Sequence, residues 1–280
     1  MNYIFLCNYK KRMISKKYNT HIILCSVLIL ILIGTYFYTI HTEEPFQNTS
    51  HSVIPLKIFY TYKTRDVPQE VNDLIDRVKS ENPEFEYYLF DDNDCRDFIE
   101  EHFDEYVVDA YDTLIPGAFK ADLWRLCVLY IHGGIYMDLK IKNVEGVKLI
   151  SFTDKEYFVR DLETRSGING VYNVFMAAKP RNPKLKKAIE LIVENVQNRF
   201  YGNSSLDITG PIFLKRVFTE KEVEAFDLYL TNTVDEDNNL YIDMNGQHVL
   251  YKDATSYKAY KSQDKNYHQQ WDDREVYREL

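Results

Sequence analysis

The segment Gly117-Ala-Phe-Lys-Ala-Asp-Leu-Trp-Arg-Leu-Cys-Val-Leu-Tyr-Ile-His-Gly-Gly-Ile-Tyr-Met-Asp-Leu-Lys140 constrains this chain more than any other. Ala118, Phe119, Leu123, Leu126 and Cys127 predict a largely buried helix. Gly133-Gly134 ends it, because a left-handed C-cap favours glycine. Ile135-Tyr-Met137 is then a short buried strand. Asp122 and Arg125 stand at i and i+3, on one helical face. On a surface such a pair is worth only ~0.3 kcal/mol. In a buried helix both charges need partners, and sugar hydroxyls or phosphate oxygens are natural ones.

The elements around this block set the fold class. Lys57 to Tyr62 reads as a first buried strand. Val71, Leu74, Ile75 and Val78 mark an amphipathic helix entered at Pro68 and closed by Asn82-Pro83. Phe85 to Phe90 is a second strand, and Asp91-Asp92-Asn93 caps a helix through Phe98 and Ile99. The alternation predicts an α/β domain with a parallel sheet and helices on its faces. Val171 to Ala178 is a further strand, followed by a helix using Leu185, Ile189, Ile192 and Val196. Asn245-Gly246 is the two-residue turn of a hairpin within Tyr241 to Leu250.

The chain divides into residues 1–20 as a basic tail, 21–40 as a membrane anchor, 41–53 as a polar stem, and 54–280 as the folded domain. Ile22 to Ile40 is almost wholly apolar, and at ~1.5 Å per residue it matches a ~30 Å hydrocarbon core. Lys10, Lys11, Arg12, Lys16 and Lys17 precede it, and no acid occurs before residue 41. This asymmetry predicts a single-pass type II protein, its N-terminus cytosolic and its domain lumenal, in the Golgi or the ER. Setting those five cations aside from the formal −9 leaves −14 on the remaining residues. So acidic a domain argues against nucleic acid as partner. In an oxidising lumen Cys95 and Cys127 are either a disulfide or two buried thiols. Asn48-Thr-Ser and Asn203-Ser-Ser are possible glycosylation sites.

Asp138 follows the short strand, at the edge where open α/β sheets collect ligands. One carboxylate there suits a divalent cation bridging two phosphates. On these residues, Phe119 to Asp138 resembles the signature of glycosyltransferase family 32, whose sugar-binding region contains a D-x-D motif. That family includes yeast Golgi mannosyltransferases and inositol-phosphoceramide mannosyltransferases. Ile54 to Thr64, Asn82 to Asp92 and Thr209-Gly-Pro211 also resemble family segments.

The resemblance implies a GT-A-type (Rossmann-like) nucleotide-diphospho-sugar transferase domain and retention of anomeric configuration. It implies that Asp122 and Arg125 hold the donor sugar, and that Asp138 contacts the donor ribose and a Mn²⁺ or Mg²⁺ ion. By the same likeness Tyr62 lies near the nucleotide base. Asn173, His268 and Trp271 reach the donor or metal, with His268 as a metal ligand. The expected partners are a nucleotide sugar (UDP- or GDP-linked) and a glycan or glycolipid acceptor. One departure stands out: Lys140 occupies the position of the second acid, giving Asp-Leu-Lys. Either a C-terminal group such as His268 completes the metal site, or Lys140 itself neutralises the diphosphate, or the protein is an inactive membrane-tethered carbohydrate-binding protein on the same fold.

Overall fold

The computed structural model describes residues 52–163, 169–254 and 265–279, together with Ile29. The basic tail, the apolar run and most of the stem, with Asn48, lie outside the described residues. No helix among the described residues is long and apolar enough to cross a membrane. The described residues from 52 onward belong to one compact unit.

Strand β1 (Lys57–Thr61) leads into helix α1 (Gln69–Glu81), whose buried residues are Val71, Leu74, Ile75 and Val78, the four that its periodicity marks. Strand β2 (Glu86–Phe90) follows, then α2 (Asp92–His102), capped reciprocally by Asp91 and Asp94. A helix without a clear sequence signal, α3 (Glu105–Thr113), precedes the central helix α4 (Gly117–His132). Next come β3 (Gly134–Met137), β4 (Ile141–Asn143), β5 (Tyr157–Glu163) and β6 (Asn169–Ala178). Asn182 caps α5 (Pro183–Gln197). Short helices α6 (Pro211–Leu214) and α7 (Glu220–Glu224) lead to β7 (Leu228–Val234), β8 (Leu240–Met244) and β9 (Gln247–Lys252). Helix α8 (Tyr267–Asp272) lies near the C-terminus.

Among the described residues nine strands form one sheet in the order β2-β1-β3-β6-β5-β7-β8-β9-β4. The parallel sheet expected from the β-α-β-α opening holds for β2-β1-β3 and for β5-β7, whereas every other pairing is antiparallel. The reason is local: β5 and β6 follow one another without a crossover helix, so they pair antiparallel, and β6 inserts between β5 and β3.

Alternation along the strands feeds two cores, one on each sheet face. Ile58, Tyr60, Ile135 and Met137 join α1 in one, and Phe59 and Tyr136 join the residues of α2 to α5 in the other. Helix α4 is buried from Phe119 through Leu129 on nearly every side, so its two charges are interior groups. Its end is fixed by two glycines. Gly133 has φ +62°, and a Cβ there would sit 2.6 Å from Pro180; Gly134 has φ +107° and a Cβ would sit 2.7 Å from the Lys57 carbonyl oxygen. Cys95 and Cys127 are buried free thiols.

Candidate active site

The parallel strands β1, β2 and β3 end at one edge of the sheet. There Tyr62 follows β1 and donates its backbone N–H to Phe90 at 3.0 Å, and Asp138 follows β3. Asp138 donates its own N–H to Val174 of β6 (2.8 Å) and accepts from Ile141 at 2.9 Å, a tight turn that carries the chain away from β3. Ligands in open α/β sheets gather at this edge.

Strand β6 delivers the next component through a break in its pairing. Phe158 opposes Met176 but Val159 opposes Tyr172, so Asn173, Val174 and Phe175 bulge against β5. Bulges re-aim side chains beside functional sites. Here the bulge turns Asn173 toward α4: its amide donates to Asp122 Oδ1 at 2.8 Å, and its carbonyl accepts from Arg125.

The buried pair predicted on α4 is thus built into a network. Arg125 contacts Asp122 Oδ1 at 3.0 Å and Asp138 Oδ1 at 3.4 Å, and its guanidinium lies 4.3 Å from the Tyr136 ring. Tyr136 donates its hydroxyl to Asp138 Oδ1 at 2.8 Å. Thr209 donates to Asp122 Oδ2 at 2.7 Å. Burial pushes the Asp122 carboxyl up to about 6, against the pull of Arg125, Thr209 and Asn173. Burial also works against the charge on Arg125, but Tyr136, Asp122 and Asp138 more than offset it and hold the guanidinium above its ordinary range. The Tyr136 phenol is raised strongly by burial, so it serves as a donor.

The structure brings Asp122, Arg125, Asp138 and Asn173 together, and it adds Thr209 and Tyr136. Sequence reasoning placed both within matched segments without assigning them a contact. The signal was the Thr209-Gly-Pro211 turn, whose threonine reaches the acid of α4. Two residues of α8 are engaged otherwise. Trp271 donates its indole N–H to the Tyr201 carbonyl at 2.8 Å. His268 is exposed, lies 2.7 Å from Ser205 Oγ through Nδ1, and has its ring 4.0 Å from that of Tyr267 at a 34° tilt.

The donor set suits a divalent cation poorly. Asp138 is one carboxylate whose Oδ1 already contacts Tyr136 and Arg125. No group of three or more His, Cys, Asp or Glu residues that could hold a metal occurs among the described residues. Lys140 adds a positive charge where a second acid would stand, and a protonated amine is no ligand.

Residues 68–150, covering α1 through β4, match the family described as "Glycosyltransferase sugar-binding region containing DXD motif". Over these residues the chain is similar to a glycosyltransferase sugar-binding region. It is 30% identical over 182 residues to inositol phosphoceramide mannosyltransferase 3 of Schizosaccharomyces pombe, covering 64% of this chain and 49% of that protein. It is 27% identical over 171 residues to mannosyl phosphorylinositol ceramide synthase SUR1 of Saccharomyces cerevisiae, covering 60% and 42%. The chain therefore spans about half the length of the curated relatives it matches. Among solved structures, PaToxG glycosyltransferase superposes with a TM-score of 0.47 at 17% identity, covering 61% of this chain and 73% of that one.

Proposed function

We propose that this chain is a GT-A-type hexosyltransferase that moves a sugar from a nucleotide diphosphate donor to a glycan or glycolipid acceptor. The observation that carries the reading is the buried network of Asp122, Arg125, Asn173 and Asp138 at the ligand-collecting edge of the sheet. The names of its relatives favour mannose as the sugar and an inositol phosphoceramide as the acceptor. The apolar run 22–40 behind a basic tail supports a membrane-anchored transferase facing the Golgi lumen, where such a lipid acceptor is within reach.

In the reaction the bond between the anomeric carbon and the diphosphate oxygen breaks, and the acceptor hydroxyl forms the new bond and gives its proton to the departing diphosphate. Asp122 accepts hydrogen bonds from sugar hydroxyls, and Arg125 donates to the sugar or to the departing phosphate, fixing the anomeric carbon. Asn173 and Thr209 hold Asp122 at the required angle. Tyr136 and Arg125 aim Asp138 toward the donor ribose. Lys140 lies beside the developing charge of the leaving diphosphate and stabilises it. Tyr62 stands at the end of β1, where the base is expected.

The test is a panel of UDP- and GDP-hexoses offered to the full chain in detergent, with inositol phosphoceramide as acceptor, in Mn²⁺, Mg²⁺ or EDTA. Hexose transfer to the lipid supports the reading. Saccharide binding without donor turnover in any condition favours the inactive carbohydrate-binding protein instead.

A further inference from the structure

The segment after α8 returns to the end of α5, and the two gather four exposed arginines. Arg199 Nη2 donates to the Arg278 carbonyl at 2.8 Å, and the Arg278 N–H donates to Thr113 at 2.8 Å. The Arg274 guanidinium lies 4.3 Å from the Tyr201 ring, and the Tyr201 hydroxyl donates to the Arg274 carbonyl at 2.8 Å. Arg216 lies 5.6 Å from the Phe200 ring. Tyr277 donates to the Phe200 carbonyl and meets Tyr201 edge to face, with ring centroids 5.4 Å apart. The arginines thus stand around one aromatic floor. Two apolar side chains lie open beside it: Phe200 is 39% exposed, and Ile115, whose N–H donates to Val276 at 2.8 Å, is 37% exposed.

Among the described residues none of the four arginines forms an ion pair with a carboxylate. Their contacts are the Arg278 carbonyl, the Asn195 amide oxygen 2.9 Å from Arg216, and ring faces. The acids of the same segment are placed otherwise. Asp273 and Glu275 both hold Lys265, at 2.8 and 2.7 Å, and Asp272 and Glu279 are exposed without binding any of the four. Unpaired guanidinium groups select an anion, and their planar fork matches two phosphate oxygens. Exposed Phe200 and Ile115 beside them add apolar surface that a free anion would leave uncovered. Cations next to apolar side chains match a lipid interface, with headgroup phosphates against one and the acyl boundary against the other.

The patch adjoins the candidate active site. Helix α8 joins the two: the Tyr267 ring at its start lies 5.8 Å from that of Phe119 in α4, and Trp271 near its end donates to Tyr201 of the patch. His268 contacts Ser205, on the segment that carries Thr209 to Asp122. In the sequence the domain begins 13 residues beyond the apolar run 22–40, a tether of at most ~45 Å. We propose that the face bearing Arg199, Arg216, Arg274 and Arg278, with Phe200 and Ile115, docks on a membrane surface of phosphodiester lipids and sets the active site over the layer that holds the acceptor. The proposal rests on the membrane-anchored transferase reading above and adds a lipid-contacting face to it.

The test is arginine footprinting with phenylglyoxal, read by mass spectrometry, on the full chain in nanodiscs of phosphatidylcholine with or without phosphatidylinositol. Discs containing phosphatidylinositol are expected to slow modification of Arg199, Arg216, Arg274 and Arg278 by about fivefold, an effect that added salt removes. Exposed Arg77 of α1, on the other face of the sheet, reacts alike in both discs. In Arg274→Gln/Arg278→Gln, whose thermal midpoint stays near that of the parent, Arg199 and Arg216 lose their protection. Equal reactivity of the four arginines in both discs, or protection that persists unchanged in the double variant, overturns the docking face. Hexose transfer to the lipid in detergent is read separately. Transfer with an unprotected patch strikes the docking face and leaves the transferase reading standing, whereas a protected patch without transfer strikes the transferase reading and leaves the docking face.

Discussion

The hydroxyl of Thr209 donates to Oδ2 of Asp122 at 2.7 Å, joining two residues 87 positions apart inside the buried core of the site. Asp122 Oδ1 is meanwhile engaged by Asn173 and Arg125. The acid is held from three elements, so its direction is fixed independently of any ligand. Thr209→Val keeps the shape and removes the donor. A loss of about 1–3 kcal/mol of unfolding free energy is expected, the usual consequence of leaving a buried acceptor unmatched. Urea denaturation at neutral pH measures it, and an unchanged midpoint contradicts this account of Thr209.

Asp122 also makes stability depend on pH. Its carboxyl is raised by burial to about 6 in the folded protein, from an ordinary value of 3.8. The folded state therefore holds a proton that the unfolded chain releases. The contribution of this group is fully present below pH 3.8 and is lost as pH rises through 6, by on the order of a few kcal/mol. The parent protein is expected to lose more unfolding free energy between pH 4 and 6.5 than Asp122→Asn does. Parallel pH profiles for the two proteins run against it. Donor affinity should rise over the same interval, because the ionised carboxylate is the better acceptor for sugar hydroxyls.

Arg125 is the cation between two carboxylates, and it is almost wholly buried. Arg125→Met strands Asp122 and Asp138 without it, and a loss of about 3–5 kcal/mol is expected. Arg125→Lys is not a mild change: one ammonium cannot cover the Tyr136 ring, the Asn173 carbonyl and both acids at once. Chemical denaturation of both variants decides the matter, and a lysine variant as stable as the parent argues against the network.

Gly134 joins the helix to the strand that presents Asp138. Its φ of +107° is costly for any side chain, and an added Cβ would lie 2.7 Å from the backbone oxygen of Lys57 in β1. Gly134→Ala is expected to destabilise by several kcal/mol, through strain and through forced separation of β1 from β3. Gly146→Ala is the comparison: its φ is also positive, at +82°, but nothing lies within 4 Å of the added Cβ. If thermal unfolding shows equal losses for the two variants, the close approach of β1 is not what selects glycine at 134.

The helix of this site was legible in the sequence, and its surroundings were not. The buried run of α4, its glycine end and the i, i+3 acid and arginine are local patterns that 3.6-residue periodicity and backbone strain report directly. So was the Asn245-Gly246 hairpin, where both residues take positive φ. The bulge at Asn173, the reach of Thr209 to Asp122 and the pairing of β4 with β9 depend on register between distant segments, and no local period encodes register. The same limit explains the antiparallel insertion of β6, which the opening β-α-β-α order gave no reason to expect.

The central claim is that Asp122 and Arg125 grip the sugar of a nucleotide donor. Its most direct test is calorimetric titration of the full chain with each UDP- and GDP-hexose beside the matching nucleoside diphosphate. The account predicts that one nucleotide hexose binds more tightly than its own diphosphate. It further predicts that a folded Asp122→Asn protein loses that difference while still binding the diphosphate. A folded parent protein that binds no nucleotide hexose, or an Asp122→Asn variant whose preference for the sugar is intact, contradicts it.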